Sequence, residues 1–138
     1  ISANAVPREL IPQEKEAVEQ AIKETLKDPD SAKFFFGEYL EGKSQVYCGY
    51  VNAKNSYGGY VGKQLFSAMV TKVNENKYVA LPLGVDYSTG EPASQEVIAA
   101  TCAGSGYPVM VKKFLVKNVN NQRKENGLPP LPRGQISD

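Results

Sequence analysis

The chain reads as an α+β domain in which an N-terminal helix packs on an antiparallel sheet of about four strands, with one or two C-terminal helices completing the layer. Three observations predict it: helical apolar spacing directly after Pro12, two hairpin patterns across residues 34–83, and a return to helical spacing after Pro92. A length of 138 residues suits one core. With 41% hydrophobic and 22% charged residues, the composition lies far from that of disordered chains.

Residues 1–10 carry no period and are expected to form a flexible arm. Pro12 suits the first helical position, where its missing N–H is not needed. Val18, Ala21, Ile22, Thr25 and Leu26 then share one face, with Glu14 and Glu16 near the positive end of the helix dipole and Lys23 and Lys27 near the negative end. Asp28-Pro29 stops this helix. Residues 34–40, a Glu41-Gly42 turn and residues 46–51 read as an aromatic-rich hairpin whose second strand carries Cys48. Residues 52–62 form a loop, and residues 65–73 and 78–83 flank Asn74-Glu75-Asn76-Lys77 as a second hairpin, its end limited by Pro82. Glu91-Pro92 opens a short helix with Val97, Ile98, Thr101 and Cys102 on its apolar pattern, closed by Gly104. Residues 108–126 admit two readings. Val111, Phe114, Leu115 and Val119 suit a helix ending at Gly127, which is favoured over a strand starting at Val109-Met110-Val111. The single domain is thus expected to span 11–127, with 128–138, including Pro129-Pro130-Leu131-Pro132, as an extended Pro-rich tail strapped over it.

Sixteen Lys and Arg against fifteen Asp and Glu leave a net charge of +1, which provides no global field for nucleic acid or anionic lipid. No apolar run approaches 18 residues, so no transmembrane segment is expected. The absence of histidine removes Ser-His-Asp and Cys-His nucleophile activation, His-ligated zinc and the usual base near neutral pH. Two cysteines without histidine are too few for a zinc or iron–sulfur site, and no metal or cofactor is expected. Cys48 and Cys102 lack C-x-x-C spacing; either they pair or they are two buried thiols. A bridge would close a loop of about 54 residues and stabilise the domain by roughly 4 kcal/mol on the chain-entropy estimate. The start at Ile1 and the small-residue string Ser2-Ala3-Asn4-Ala5 fit a trimmed, exported chain.

Two longer motifs sharpen that expectation. The segment Asp28-Pro29-Asp30-Ser31-Ala32-Lys33-Phe34 and the run Cys48-Gly49-Tyr50-Val51-Asn52-Ala53-Lys54-Asn55-Ser56-Tyr57-Gly58-Gly59-Tyr60 resemble a group of small, uncharacterised exported bacterial and phage proteins or lipoproteins. The resemblance covers residues 20–66. It implies a periplasmic or secreted protein with a helix-plus-sheet core, and it carries over no catalytic residues.

The candidate binding residues lie in and beside the loop: Asn52, Lys54, Asn55, Tyr57, Tyr60 and Lys63. Glycines 58, 59 and 62 predict a tight turn. Either the loop folds back and buries its own tyrosines, or it presents them as low-entropy contact rings beside adaptable amides. Gly62-Lys63 looks like the end of a phosphate-binding loop, but Tyr57 stands where the first glycine belongs and Gln64 where Ser or Thr would hold magnesium. Ser56 with Lys54 is the nearest nucleophile–base pair. Asp28 with Asp30, and Asp86 with Glu91, are carboxylate pairs in turn-like sequence, where capping is the commoner role. The C-terminal helices invite a helix-turn-helix reading with Lys112, Lys113, Lys117, Arg123 and Lys124 as phosphate contacts, yet those cations fall on several faces, and no nucleic-acid partner is expected. The sequence therefore predicts no catalytic residue and an exported protein-binding module. A carbohydrate or peptidoglycan binder is the alternative, with a small His-independent hydrolase behind it.

Overall fold

The computed structural model describes residues 6–86 and 88–138, so Ser2, Ala3, Asn4 and Ala5 and the first half of the expected arm lie outside the described residues. The fold is α+β, with an N-terminal helix and C-terminal helices. Its centre is a four-stranded antiparallel sheet of order β2-β4-β5-β6, formed by β2 (Lys33–Phe35), β4 (Val46–Asn52), β5 (Gln64–Asn74) and β6 (Lys77–Leu83).

Strand alternation sorts the core into two faces. Tyr47, Val51, Phe66, Ala68 and Val70 point towards Val18 and Ile22 of α1 (Pro12–Lys23). Their neighbours Val46, Cys48 and Leu65 point the other way, towards Ile98 and Cys102 of α2 (Gln95–Gly104) and Tyr107. The sheet is therefore covered from both sides. A third cluster, Ala103, Val111, Val119 and Leu131, joins α2 to α3 (Val116–Glu125) and to the tail. Cys48 and Cys102 are disulfide-bonded with Cα atoms 6.1 Å apart, so the bridge fastens the second helix layer to β4.

The second hairpin forms as its sequence predicts, but the first does not. Phe34 and Phe35 pair with Val51 and Tyr50, whereas β3 (Tyr39–Glu41) leaves the sheet and pairs antiparallel with β1 (Val6–Arg8). The chain breaks step around Gly37, whose carbonyl accepts from the Tyr47 hydroxyl at 3.1 Å, and the Leu40 N–H turns to the Tyr107 oxygen at 3.1 Å.

Residues 6–10 accordingly belong to the packed unit rather than to an arm. Arg8 donates to both carboxylate oxygens of Glu14 at 2.8 and 2.9 Å and to Glu41 at 2.9 Å, tying β1 to the start of α1 and to β3. Burial alone would push the Glu14 carboxyl up; hydrogen bonds from Arg8 and the Ile11 N–H outweigh it and hold the carboxyl below its usual range. That last bond, at 3.0 Å, is the Glu half of a capping box.

Helix α1 ends earlier than the apolar spacing predicts. The Thr25 hydroxyl donates to the Ile22 carbonyl at 2.7 Å, competing for a helical acceptor, and Leu26 packs from an irregular turn. Pro92 does not open α2: it lies in β8 (Glu91–Pro92), paired with β7 (Val85–Asp86), and Ser94 caps the helix by accepting the Val97 N–H. Residues 108–126 combine both readings, with β9 (Val111–Lys112) preceding α3 and Gly127 closing it at φ +74°. The Pro-rich tail is integral. Leu131 is buried, and β10 (Ile136–Ser137) pairs parallel with β9, so the packed unit runs past the expected boundary at 127. Arg123, one of the cations of the helix-turn-helix reading, is buried and donates to the Ala103 carbonyl at 2.8 Å and the Pro129 carbonyl at 2.7 Å. It closes the carbonyl end of α2 and is not on an accessible nucleic-acid face.

Candidate functional site

The loop between β4 and β5 is held by its own side chains. The Asn55 side-chain oxygen accepts from the Tyr57 N–H at 2.9 Å and the Gly59 N–H at 3.2 Å, and the Asn52 side-chain oxygen accepts from the Gly62 N–H at 3.0 Å. Gly58 and Gly62 adopt φ of +83° and +91°, conformations that any other residue would strain to reach. A backbone bridge between Lys54 and Tyr60 closes the turn.

Ser31 joins the two sequence motifs. Its hydroxyl oxygen accepts from the Lys54 N–H at 2.8 Å, and its carbonyl accepts from the Tyr60 hydroxyl at 3.1 Å. The Asp28–Phe34 segment is thus the base on which the Asn/Gly/Tyr loop stands.

The six candidate residues divide by role. Asn52 and Asn55 build the backbone. Tyr57 is presented, with 97% of its surface exposed. Tyr60 is half-exposed, with the Lys33 ammonium 4.5 Å and the Lys54 ammonium 5.6 Å from its ring centroid. Lys63 stands 4.1 Å over the Phe35 ring. Phe35 faces Tyr50 across the β2–β4 ladder, and both rings are partly exposed on the stretch of sheet next to the loop. Lys33, Phe35 and Tyr50 therefore extend the candidate surface. The only sequence signal for them was the aromatic density of the first hairpin, because their neighbours in space are set by strand register. Among the described residues no carboxylate pairs with Lys33, Lys54 or Lys63.

The inner side of the same loop walls a cleft of about 330 Å³. Its apolar lining comes from Ile22, Leu26, Val51, Phe66, Leu83 and Ile98, while Lys27 and Glu91 form an ion pair at 2.9 Å and line it too. The cleft exists because β6 turns away from β5 at Gly84 (φ +69°), leaving Leu65, which still pairs with Tyr50 of β4, without a strand neighbour on its other side. The Gln95 side chain takes the vacated place. Its oxygen accepts the Leu65 N–H at 2.8 Å and its NH₂ donates to the Leu65 carbonyl at 2.9 Å, so one amide stands in for a strand.

None of the three catalytic pairings considered from sequence is joined by a side-chain hydrogen bond. Ser56 and Lys54 make no hydrogen bond to each other, and the Lys54 ammonium lies beside the Tyr60 ring. Asp86 and Glu91 do face each other across the β7–β8 ladder, but Asp86 accepts from the Ser88 hydroxyl and N–H, which holds its carboxyl below its usual range, and Glu91 pairs with Lys27. The Asp28 carbonyl accepts from Ser31 in the turn at 2.7 Å. No helix among the described residues is long and apolar enough to cross a membrane. Comparison with known proteins returned no matching family model, no matching curated protein and no matching solved structure.

Proposed function

We propose that this chain is an exported bacterial binding module that engages a protein partner in the periplasm or outside the cell, through residues 52–63 and the adjoining face of β2 and β4. The observation that carries this reading is Tyr57: a fully exposed aromatic ring on a loop whose backbone is pinned by Asn52, Asn55 and Ser31. A loop whose backbone is already ordered has little backbone entropy left to lose on binding, and tyrosine, with only two side-chain torsions, supplies large contact area with one polar tip. Phe35, Tyr50 and Tyr60 add a half-exposed aromatic border. The disulfide supports an oxidising compartment, and the resemblance of the two motifs to exported proteins points the same way.

The test is Tyr57→Ala in the full chain, read in parallel by thermal melting, by co-purification from envelope and culture fractions of the native source, and by sedimentation with isolated peptidoglycan. Stoichiometric recovery of a protein by the wild-type chain, with affinity falling roughly thirtyfold in the variant and melting unchanged, is the expected result. Sedimentation with peptidoglycan in the absence of a protein partner would replace this reading with the glycan one, and full affinity in the variant would move the functional surface elsewhere.

A further inference from the structure

The cleft behind the loop has the size and chemistry of a small-ligand site. Its volume of about 330 Å³ lies at the lower end of the range for such sites. At roughly 30 Å³ for an atom with its share of space, it accommodates about ten non-hydrogen atoms.

Three of the polar side chains in its walls are already engaged. Gln95 is bonded in both directions to Leu65, the Ser67 hydroxyl donates to the Leu83 carbonyl at 3.4 Å, and the Thr25 hydroxyl donates to Ile22. Along these three groups an occupant finds no open donor or acceptor; the Gln64 side-chain amide, which also lines the cleft, is free of such bonds, and with most of the remaining lining aliphatic or aromatic the body of an occupant must be apolar. The charged groups that line the cleft are different. Lys27 and Lys54 contribute two ammonium-bearing side chains against the single carboxylate of Glu91. Both members of the Lys27–Glu91 pair are well exposed, so the pair is weak and exchangeable.

We infer that this cleft binds a short aliphatic carboxylate, with its chain against Ile22, Leu26, Phe66 and Ile98 and its anionic head exchanging for Glu91 on Lys27. The assignment rests on the cleft alone and stands whether or not Tyr57 contacts a protein. Octanoate, with ten non-hydrogen atoms, matches the volume.

Binding of hexanoate, heptanoate, octanoate, decanoate and dodecanoate to the intact protein, measured by calorimetry and by amide chemical shifts, tests this. Affinity should rise about fourfold per methylene up to octanoate, as each CH₂ leaves water, and then level off once the cleft is full. Octanol and octylamine should bind more weakly than octanoate. Lys27→Gln should weaken octanoate two- to fivefold and Glu91→Gln should strengthen it by a similar factor, with melting confirming that both variants fold. Shifts should concentrate on Leu26, Ala53, Leu65, Ile98 and the Gln95 side-chain amide. The inference is overturned by the absence of saturable octanoate binding up to about 10 mM. It is equally overturned by an affinity that climbs without a plateau through dodecanoate, by octylamine binding as well as octanoate, by indifference to both substitutions, or by shifts centred outside the cleft.

Discussion

Tyr47 and Tyr57 stand on the same strand–loop segment and do opposite things. Tyr47 has no exposed surface, packs its ring among Phe36, Tyr39 and Phe66 at centroid distances of 5.9–6.3 Å, and gives its hydroxyl to the Gly37 carbonyl. Tyr57 touches solvent almost everywhere, and only its backbone N–H is held. In the first case side-chain packing fixes the backbone. In the second, backbone hydrogen bonds hold a side chain away from the core. The same residue type is structural or available according to which of these comes first.

Four measurements break or sharpen that contrast. Tyr47→Ala should have the largest effect, about 3–5 kcal/mol of lost stability, since it empties the centre of the aromatic cluster; chemical denaturation measures it. A melt close to wild type would mean that the cluster collapses around the gap. Replacing both Cys48 and Cys102 with Ala should cost about 2–4 kcal/mol while leaving the α1 face packed, so near-ultraviolet signals from the Tyr47 cluster should survive at low temperature.

Tyr107→Phe is a narrower probe. The Tyr107 hydroxyl donates to the Val46 carbonyl at 2.8 Å and accepts from Leu40, so its loss should cost about 1–3 kcal/mol by leaving a buried carbonyl and a partly buried N–H unpaired. Burial pushes the Tyr107 phenol up from 10.0 to about 12 and moves the Tyr47 phenol in the same direction. A raised folded-state value means that the fold favours the neutral phenol. Stability from this source is present below pH 10 and is lost as pH rises through about 12, which alkaline denaturation curves should show as a steeper decline for wild type than for Tyr107→Phe. Tyr57→Ala should have the smallest stability effect, within about 0.5 kcal/mol. A larger loss in a melting experiment would return Tyr57 to the structural class.

What could be read from sequence was local. Helix α1, the β5–β6 hairpin and the α2 apolar pattern repeat within one or two turns or strands, and their periods stand in the sequence. The β1–β3 ladder has no such period. Its cement is Arg8 to Glu41, 33 residues apart, and nothing beside either residue announces the other. The tail lies over the domain as its composition suggests, but its place inside the packed unit does not show in the sequence, because β10 meets β9 only through tertiary packing. At the candidate site, the turn and its glycines were legible from composition, but whether its tyrosines are buried or presented was not: the fold-back reading was the favoured one, and Tyr57 is almost fully exposed. The supporting role of Ser31 was not legible either, since its bonds to Lys54 and Tyr60 cross 23 and 29 residues. Nor was the cleft, whose walls come from α1, all but the first strand of the sheet, and α2. Its cause is one positive φ at Gly84 and one amide at Gln95.

The position of the disulfide also bears on how the chain must mature. Residues 6–83 include α1 and every strand of the central sheet, so a chain emerging N-terminus first can close the α1 face while the partner of Cys48 is still to come. At about 5–20 residues per second, the 54 residues separating Cys48 from Cys102 represent roughly 3–11 s of synthesis. For that interval β4 carries an unpaired thiol on the face that α2 has yet to cover. If the chain enters an oxidising compartment while it is still being made, oxidation within this interval finds no intramolecular partner for Cys48, and the yield of correctly bridged protein should then depend on matching oxidant supply to the arrival of α2.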